Sequence, residues 1–317
     1  MKSFQSVFAE RLSAYVQLRR ALGFRSEETA YFLKTFDRRL FEKNYTGPLT
    51  QELALEFACA NAKASTNYCV RRYHAVRHFS EYLATFDPRT PFLDPKALKP
   101  SNARTPRHIY TDEELQKILT EARSVSRNNP IRGLTLYTMI GLAASTGLRI
   151  SEIIRLDIED VDLKSGVLNV KYSKFNKSRL VPLHKTTLQA ISNYAAARNA
   201  AYPNCKAIAF FINSRQKRFA RNTLQQLFAG VACRAGLRES KGRGPSFHNL
   251  RHRFATERLV RWYKAGIDVQ AMLPALATYM GHAHYTDTAY YLTATAELLA
   301  IAGERYQLWL ERKEAEL

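Results

Sequence analysis

The chain has 317 residues, enough for two ordinary domains, and its 46% hydrophobic and 24% charged content is that of a globular protein. Lys and Arg total 48 against 28 acidic residues, a formal charge of +20. That imbalance favours a polyanionic partner, duplex DNA being the densest; a basic protein with no nucleic-acid partner is the competing reading.

The first stretch reads as four helices. Phe8, Leu12, Tyr15, Val16 and Leu18 recur at helical spacing up to Gly23. A second helix over about Ser26–Tyr45 carries Tyr31, Phe32, Leu33, Phe36 and Leu40 on one stripe and ends at Gly47-Pro48. Thr50 starts a third, and Ser65-Thr66 a fourth that runs to about Phe86. Arg71, Arg72, His74, Arg77 and His78 of the fourth make either a solvated charged face or a DNA-facing one. Pro88, Pro91, Pro95, Pro100 and Pro106 then block regular structure, so 87–107 reads as a basic linker.

Beyond the linker the pattern is mixed. Thr111-Asp-Glu-Glu is a helix start, and Gly133–Ser145 is an apolar helix leading into Thr146-Gly147. Val167–Tyr172, Arg179–Leu183 and Ala209–Ile212 read as short strands. Helices follow at Asn222–Ala235, His248–Lys264, Asp268–Met280 and about Ala296–Lys313. The four cysteines, Cys59, Cys69, Cys205 and Cys233, form no Cys-x-x-Cys pair, which speaks against zinc or a disulfide framework. The N-terminus lacks the apolar core of a signal peptide, and no apolar run is long enough to span a bilayer. A soluble cytoplasmic protein with no membrane partner is expected.

Four segments carry the chemistry: Ala144-Ser-Thr-Gly-Leu-Arg-Ile-Ser-Glu, the turn Lys171-Tyr-Ser-Lys-Phe-Asn-Lys-Ser-Arg-Leu-Val-Pro-Leu, Ser246-Phe-His-Asn-Leu-Arg-His-Arg, and Met280-Gly-His-Ala-His-Tyr-Thr-Asp-Thr-Ala-Tyr-Tyr-Leu. In this order they resemble the tyrosine recombinase (phage integrase) family, whose signature is Arg, Lys, His-x-x-Arg, His or Trp, then Tyr. The resemblance covers about Arg107 to Leu310, and the Leu-Thr-Ala-Thr after Tyr291 is similar to transposon-associated members. The implied fold is mainly α (α+β). It comprises an N-terminal helical core-binding domain (1–86), the linker (87–107), and a mixed catalytic domain (108–317) with a small antiparallel sheet and a C-terminal helix. Together the domains would form a C-shaped clamp on DNA.

The chemistry explains the residue types. A phosphodiester repels nucleophiles, and its charge grows further in the transition state, so a metal-free site needs fixed cations around it. Arg149 and Arg251 would be the clamps, since guanidinium stays charged and donates in pairs. Glu152 lies three residues after Arg149, able to share its helical face, and in the family this acid orients catalytic groups. By the resemblance, His248 assists proton transfer and His282 donates to a phosphate oxygen. Lys174 occupies the position of the general acid for the leaving alkoxide, with Lys171 and Lys177 as competitors. The resemblance implies Tyr291, nine residues after His282, as the nucleophile; Tyr290 beside it reads as packing, and Tyr285 is a third tyrosine nearby. His252 and His284 occupy no motif position and read as structural or DNA-facing. Between Gly266 and His282 the chain is longer than in common bacterial relatives and contains Pro274, which leaves the geometry before His282 open.

The activity implied is two transesterifications through a 3′-phosphotyrosine, with no cofactor and no metal. It would serve integration, excision or transposition of a mobile element. The partners would be double-stranded DNA and a homo-oligomer, a tetramer on synapsed DNA, with sister recombinases as a further partner class. A type IB topoisomerase-like DNA relaxation is the first rival, and a catalytically silent DNA-binding accessory protein the second. The stripe Leu298, Leu299, Ala302, Tyr306 and Trp309 would pack either on its own domain or on a neighbouring protomer.

Overall fold

Local capping sets where the helices of the first unit begin. In the computed structural model, residues 4–24, 27–62, 64–101, 108–125, 130–171, 178–239, 244–282, 284–293, 300–301, 303–304, 306–307 and 309–311 are described. The chain divides into two compact units, Met1–Thr105 and Pro106–Leu317. The first holds α1 (Ala9–Ala21), α2 (Glu27–Glu42), α3 (Gln51–Cys59) and α4 (Thr66–Ala84). Thr50 and Ser65 accept from the backbone N–H of Leu53 and Tyr68 and so start α3 and α4. Leu12, Leu33, Phe36, Phe57, Tyr73 and Phe79 fill the core between them. Arg72 is buried with its guanidinium 4.0 Å from the Phe57 ring centroid, so it belongs to that core rather than to a solvated face.

The described part of the proline-rich stretch lies against α4. Leu93 is fully buried, Tyr73 donates to the carbonyl of Asp94, and Ser80 donates to that of Pro91. Asn67 exchanges two hydrogen bonds with the backbone of Ser101. Proline excludes regular structure here, yet the backbone is held by side chains of a helix. Residues 102–107 lie outside the described residues.

The second unit starts with α5 (Asp112–Ser124), opened by a reciprocal capping box between Thr111 and Glu114. The apolar α6 (Pro130–Thr146) and the short α7 (Ile150–Arg155) follow. The antiparallel sheet has order β1 (Val161–Asp162), β2 (Val167–Val170), β3 (Arg179–Pro182), with Leu168 opposite Val181 and Val170 opposite Arg179. Leu168, Val170 and Val181 point inward and are buried, as period-two alternation requires. The expected strand at Ala209–Ile212 does not form. Ala209 and Ile212 make only isolated bridges, to Asp157 and Arg218, and all four residues are buried without a continuous partner strand. The sheet's third strand is instead β1.

Helices α8 (Lys185–Ala201), α9 (Arg221–Arg234), α10 (Phe247–Lys264), α11 (Val269–Met280) and α12 (Thr286–Ala289) complete the unit. α11 runs through Pro274 and ends on Gly281 in the left-handed conformation, which settles the geometry before His282. The described residues from 300 to 311 are helical, and Tyr306 and Trp309 are exposed; Leu298, Leu299 and Ala302 lie outside the described residues.

Between α6 and α7, Gly147 has φ +66°, and a Cβ there would sit 2.5 Å from the Phe254 ring. Gly147→Ala should combine the left-handed penalty with an overlap against α10. The expected loss is about 2 kcal/mol or more, read from the urea unfolding midpoint.

Candidate active site

Three of the four motif segments converge on one site in the second unit. The first follows α6, where Leu148 and Arg149 lead into α7. The Arg149 N–H donates to Glu152 Oε2 at 2.8 Å and its guanidinium donates to Oε1 at 2.9 Å, so the acid holds both the backbone and the side chain of Arg149 at the helix start. The second Arg149 nitrogen donates to the carbonyl of Gly281 at 3.0 Å. The third segment, α10, places Arg251 one turn after His248. Arg251 donates to the carbonyls of Gly147 at 2.6 Å and Met280 at 2.8 Å. Those two arginines therefore knit the turn after α6 to the turn after α11.

Glu152 is 3% exposed and is the counter-charge of the cluster. Arg179, the first residue of β3, donates to both of its carboxylate oxygens at 3.1 Å and to the carbonyl of Tyr279 at 2.7 Å. Burial pushes the Glu152 carboxyl up, but the hydrogen bonds and charge of Arg179 and Arg149 outweigh it and hold the pKa below its ordinary value. Burial, reinforced by the positive charge of Arg149, brings Arg251 down to about 10, still well above neutral pH. Arg179 also explains Gly281: besides φ +70°, a Cβ there would meet the Arg179 guanidinium at 2.6 Å. The sequence marks Arg179 only as a strand residue, since its partner lies 27 positions away.

The last segment supplies His282 and Tyr291. His282 Nδ1 lies 2.6 Å from the hydroxyl of Thr288 in α12, and its ring stacks on Tyr291 at 6.3 Å with an interplanar angle of 13°. Burial first, and then Arg251 and Arg149, push the His282 pKa down to about 4, so the ring is neutral at pH 7. Tyr291 is 3% exposed and packs in the cluster that includes Phe254, Leu273 and Met280. Its hydroxyl is 3.0 Å from Nδ1 of His252. The His252 ring in turn meets that of His248 edge-to-face at 4.8 Å, His248 itself being exposed.

Arg149, Glu152, His248, Arg251, His282 and Tyr291 thus form one connected cluster. Lys174 and its competitor Lys177 lie outside the described residues, as does the side chain of Tyr290. Lys171 is tied to Glu159 at 2.6 Å and Asp160 at 2.7 Å, and those hydrogen bonds push its pKa up. His252 is 3% exposed, so it is not DNA-facing in this state. Tyr285 is exposed. Among the described residues there is no group of three His, Cys, Asp or Glu side chains that could hold a metal ion, and no helix is long and apolar enough to cross a membrane.

The phage integrase family pattern matches residues 109–297, a span that includes every member of this cluster. The chain belongs to that family. An integrase/recombinase of Sinorhizobium fredii is 43% identical over 96% of this chain and 97% of its own length. Tyrosine recombinase XerD of Staphylococcus epidermidis is 30% identical over 70% of this chain and 68% of its own. The Tn1549 transposon integrase, solved with transposon right end DNA, superposes with a TM-score of 0.66 at 19% identity, covering 93% of this chain and 98% of that one. Lambda integrase, solved as a tetramer on a Holliday junction, gives 0.65 at 17% identity, covering 91% and 78%. This integrase-family fold is mainly helical with a small antiparallel sheet, as the resemblance implies.

Acid should loosen the pocket in two steps. Unfolded His282 takes a proton near pH 6.5, whereas the folded ring takes it near 4, so the unfolded state binds more protons and stability falls as pH drops from 6.5 to 4. Glu152, lowered in the folded state, adds stability above its ordinary 4.5 that is lost on further acidification. The fall in thermal midpoint between pH 7 and 4.5 should therefore be shallower in His282→Gln than in the parent. Glu152→Gln should cost about 3 kcal/mol at pH 7 by leaving guanidinium groups unbalanced, as urea unfolding would show.

Proposed function

We propose that this phage integrase family member is a site-specific recombinase that breaks and rejoins double-stranded DNA through a covalent link to Tyr291. The convergence of Arg149, Arg251, His282, Tyr291 and, through His252, His248 from separate chain segments carries this reading. The phenol oxygen of Tyr291 attacks a backbone phosphorus, forming a 3′-phosphotyrosine as the bond to the 5′ oxygen breaks. A 5′-hydroxyl from a partner strand then attacks that ester and releases the tyrosine, so the phosphodiester is conserved without an outside energy source.

Arg149 and Arg251 neutralise the growing charge on the phosphate. Their carbonyl contacts fix both planes in advance, which spares reorganisation during the reaction. Neutral His282 can accept from Thr288 at Nδ1 and so present Nε2–H to a phosphate oxygen. Glu152 and Arg179 hold Arg149 in place. Arg251 and Tyr291 are 2% and 3% exposed, so a DNA phosphate reaches them only after the pocket opens. Lys174 is the proton donor to the leaving 5′ oxygen. A general acid needs its pKa drawn towards neutrality, and the acidic grip on Lys171 works the other way, which favours Lys174.

The N-terminal helical unit is read as a core-binding domain that holds the duplex. A tetramer on two synapsed sites is the assembly, in keeping with the lambda integrase tetramer. Sister recombinases fit the presence in one Sinorhizobium fredii strain of two relatives, 43% and 35% identical to this chain. Integration, excision or transposition of a mobile element at cytoplasmic DNA is the biological setting.

Incubation with duplexes from the gene's own genomic flanks should yield a covalent protein–DNA adduct that maps to Tyr291 and disappears in Tyr291→Phe. An adduct surviving that change would end the assignment. Two sites on one plasmid should give recombinants; relaxed topoisomers alone would indicate the topoisomerase rival. Lys174→Ala should slow cleavage by about 10²–10⁴-fold on ordinary DNA. On a 5′-bridging phosphorothiolate, whose thiolate leaves without a proton, most of that loss should vanish.

A further inference from the structure

The buried histidine next to the signature arginine has no role in the mechanism above, yet it touches the atom that would react. His252 sits on α10 one turn after His248 and directly after Arg251, 3% exposed, with Nδ1 3.0 Å from the Tyr291 hydroxyl. The distance is that of an ordinary O–H···N hydrogen bond. The ring centroids of His252 and Tyr291 lie 5.4 Å apart with the planes tilted by 51°, and the closest polar contact is at the phenol's hydroxyl end rather than on its face. The tyrosine ring is also stacked on His282 and packed in an apolar cluster.

We propose that His252 is a further catalytic residue, the base that receives the phenolic proton of Tyr291. The assignment rests on Tyr291 being the nucleophile. As the Tyr291 oxygen bonds to phosphorus, its hydrogen passes to Nδ1 of His252, and the electron pair of the breaking P–O bond leaves with the 5′ oxygen. On rejoining, the incoming 5′ oxygen bonds to phosphorus, the phenolate departs, and the same nitrogen returns the proton. His248, exposed and one turn nearer the helix start, is placed to bind the phosphate, so the two histidines divide two tasks. Tyrosine gains most from such a partner because its ordinary pKa lies about three units above neutral pH.

The test uses the full chain and a nicked duplex of the site mapped by the adduct experiment, with single-turnover formation of the Tyr291 adduct as readout. Wild-type protein that forms no adduct at Tyr291 would refute the functional reading itself, separately from this proposal. His252→Asn keeps an acceptor oxygen near the Nδ1 position but cannot take up the proton. It should bind the duplex as wild type does in a gel shift, keep its thermal midpoint within a few degrees, and form adduct at least about tenfold more slowly. His252→Ala should be rescued by added imidazole, and across a set of methylimidazoles the rescued rate should rise with the pKa of the added base. His252→Gln serves if the asparagine variant does not fold. Adduct formation by a folded Asn or Gln variant at the wild-type rate or faster would overturn the proposal. So would rescue of the alanine variant that ignores the pKa of the added base, since that would mark mere cavity filling.

Discussion

The pocket depends on one buried carboxylate. Three guanidinium groups, those of Arg149, Arg179 and Arg251, are gathered where solvent is largely excluded, and like charges in such surroundings repel strongly. Glu152 makes the gathering possible by accepting from two of them, and its own desolvation is offset by the hydrogen bonds they supply. The balance is incomplete: among the described residues three guanidinium groups gather around one carboxylate. In the proposed mechanism a phosphate anion entering the site would supply part of the missing charge, so that substrate binding and electrostatic relief would be the same event. This also explains the neutral state of His282, which loses its proton because burial and the surrounding arginines disfavour another cation.

Backbone carbonyls do the rest of the positioning. Those of Gly147, Met280 and Gly281 accept from Arg251 and Arg149, and they are presented by two turns that need glycine in the left-handed region. At Gly281 the lack of a side chain has a second use, because the Arg179 guanidinium occupies the space a Cβ would take. The Thr-Gly-Leu-Arg and Gly-His motifs are thus halves of one device: each glycine turn exposes carbonyls to an arginine from another segment. Strand β3 joins the device through Arg179, which anchors the edge of the sheet to the base of the pocket.

Much of this was legible in the sequence where the determinants are local. The caps at Thr50, Ser65 and Thr111 work through side chains bonding to backbone three positions on, so residue type and spacing suffice to find them. The Arg-His-x-x-Arg-His-Tyr pattern also reads well, because chemistry restricts each residue type. Helix α8 is harder to read: its buried positions, Thr187, Ile191, Tyr194 and Arg198, mix polar with apolar residues, so the hydrophobic period is weak. Ala209–Ile212 misleads in the opposite way. Four consecutive apolar residues look like a strand, but their burial comes from side chains on all sides and not from a ladder. β1 has two residues, too few to leave any period. The ties of Arg179 to Glu152 and of His252 to Tyr291 span 27 and 39 positions, and nothing in either neighbourhood announces them.

The groups proposed to react are covered in this structure. Tyr291 and Arg251 have almost no exposure, while Arg149 and His248 reach the surface. In the proposed mechanism a phosphate arriving from solvent would meet Arg149 and His248 first, and would gain Arg251 and the phenol only as the site opens. Such an order has a chemical advantage for an enzyme that stores a broken strand as a protein ester. A nucleophile kept under cover until DNA is seated cannot attack stray phosphates, and water is kept from the site where the ester must wait for its partner strand. Coupling the opening to the seating of DNA requires only that the phosphate bind more tightly to the open pocket than to the closed one. In the proposed mechanism the unbalanced arginine charge would provide that difference, because the full set of cations would become available to the anion only on opening.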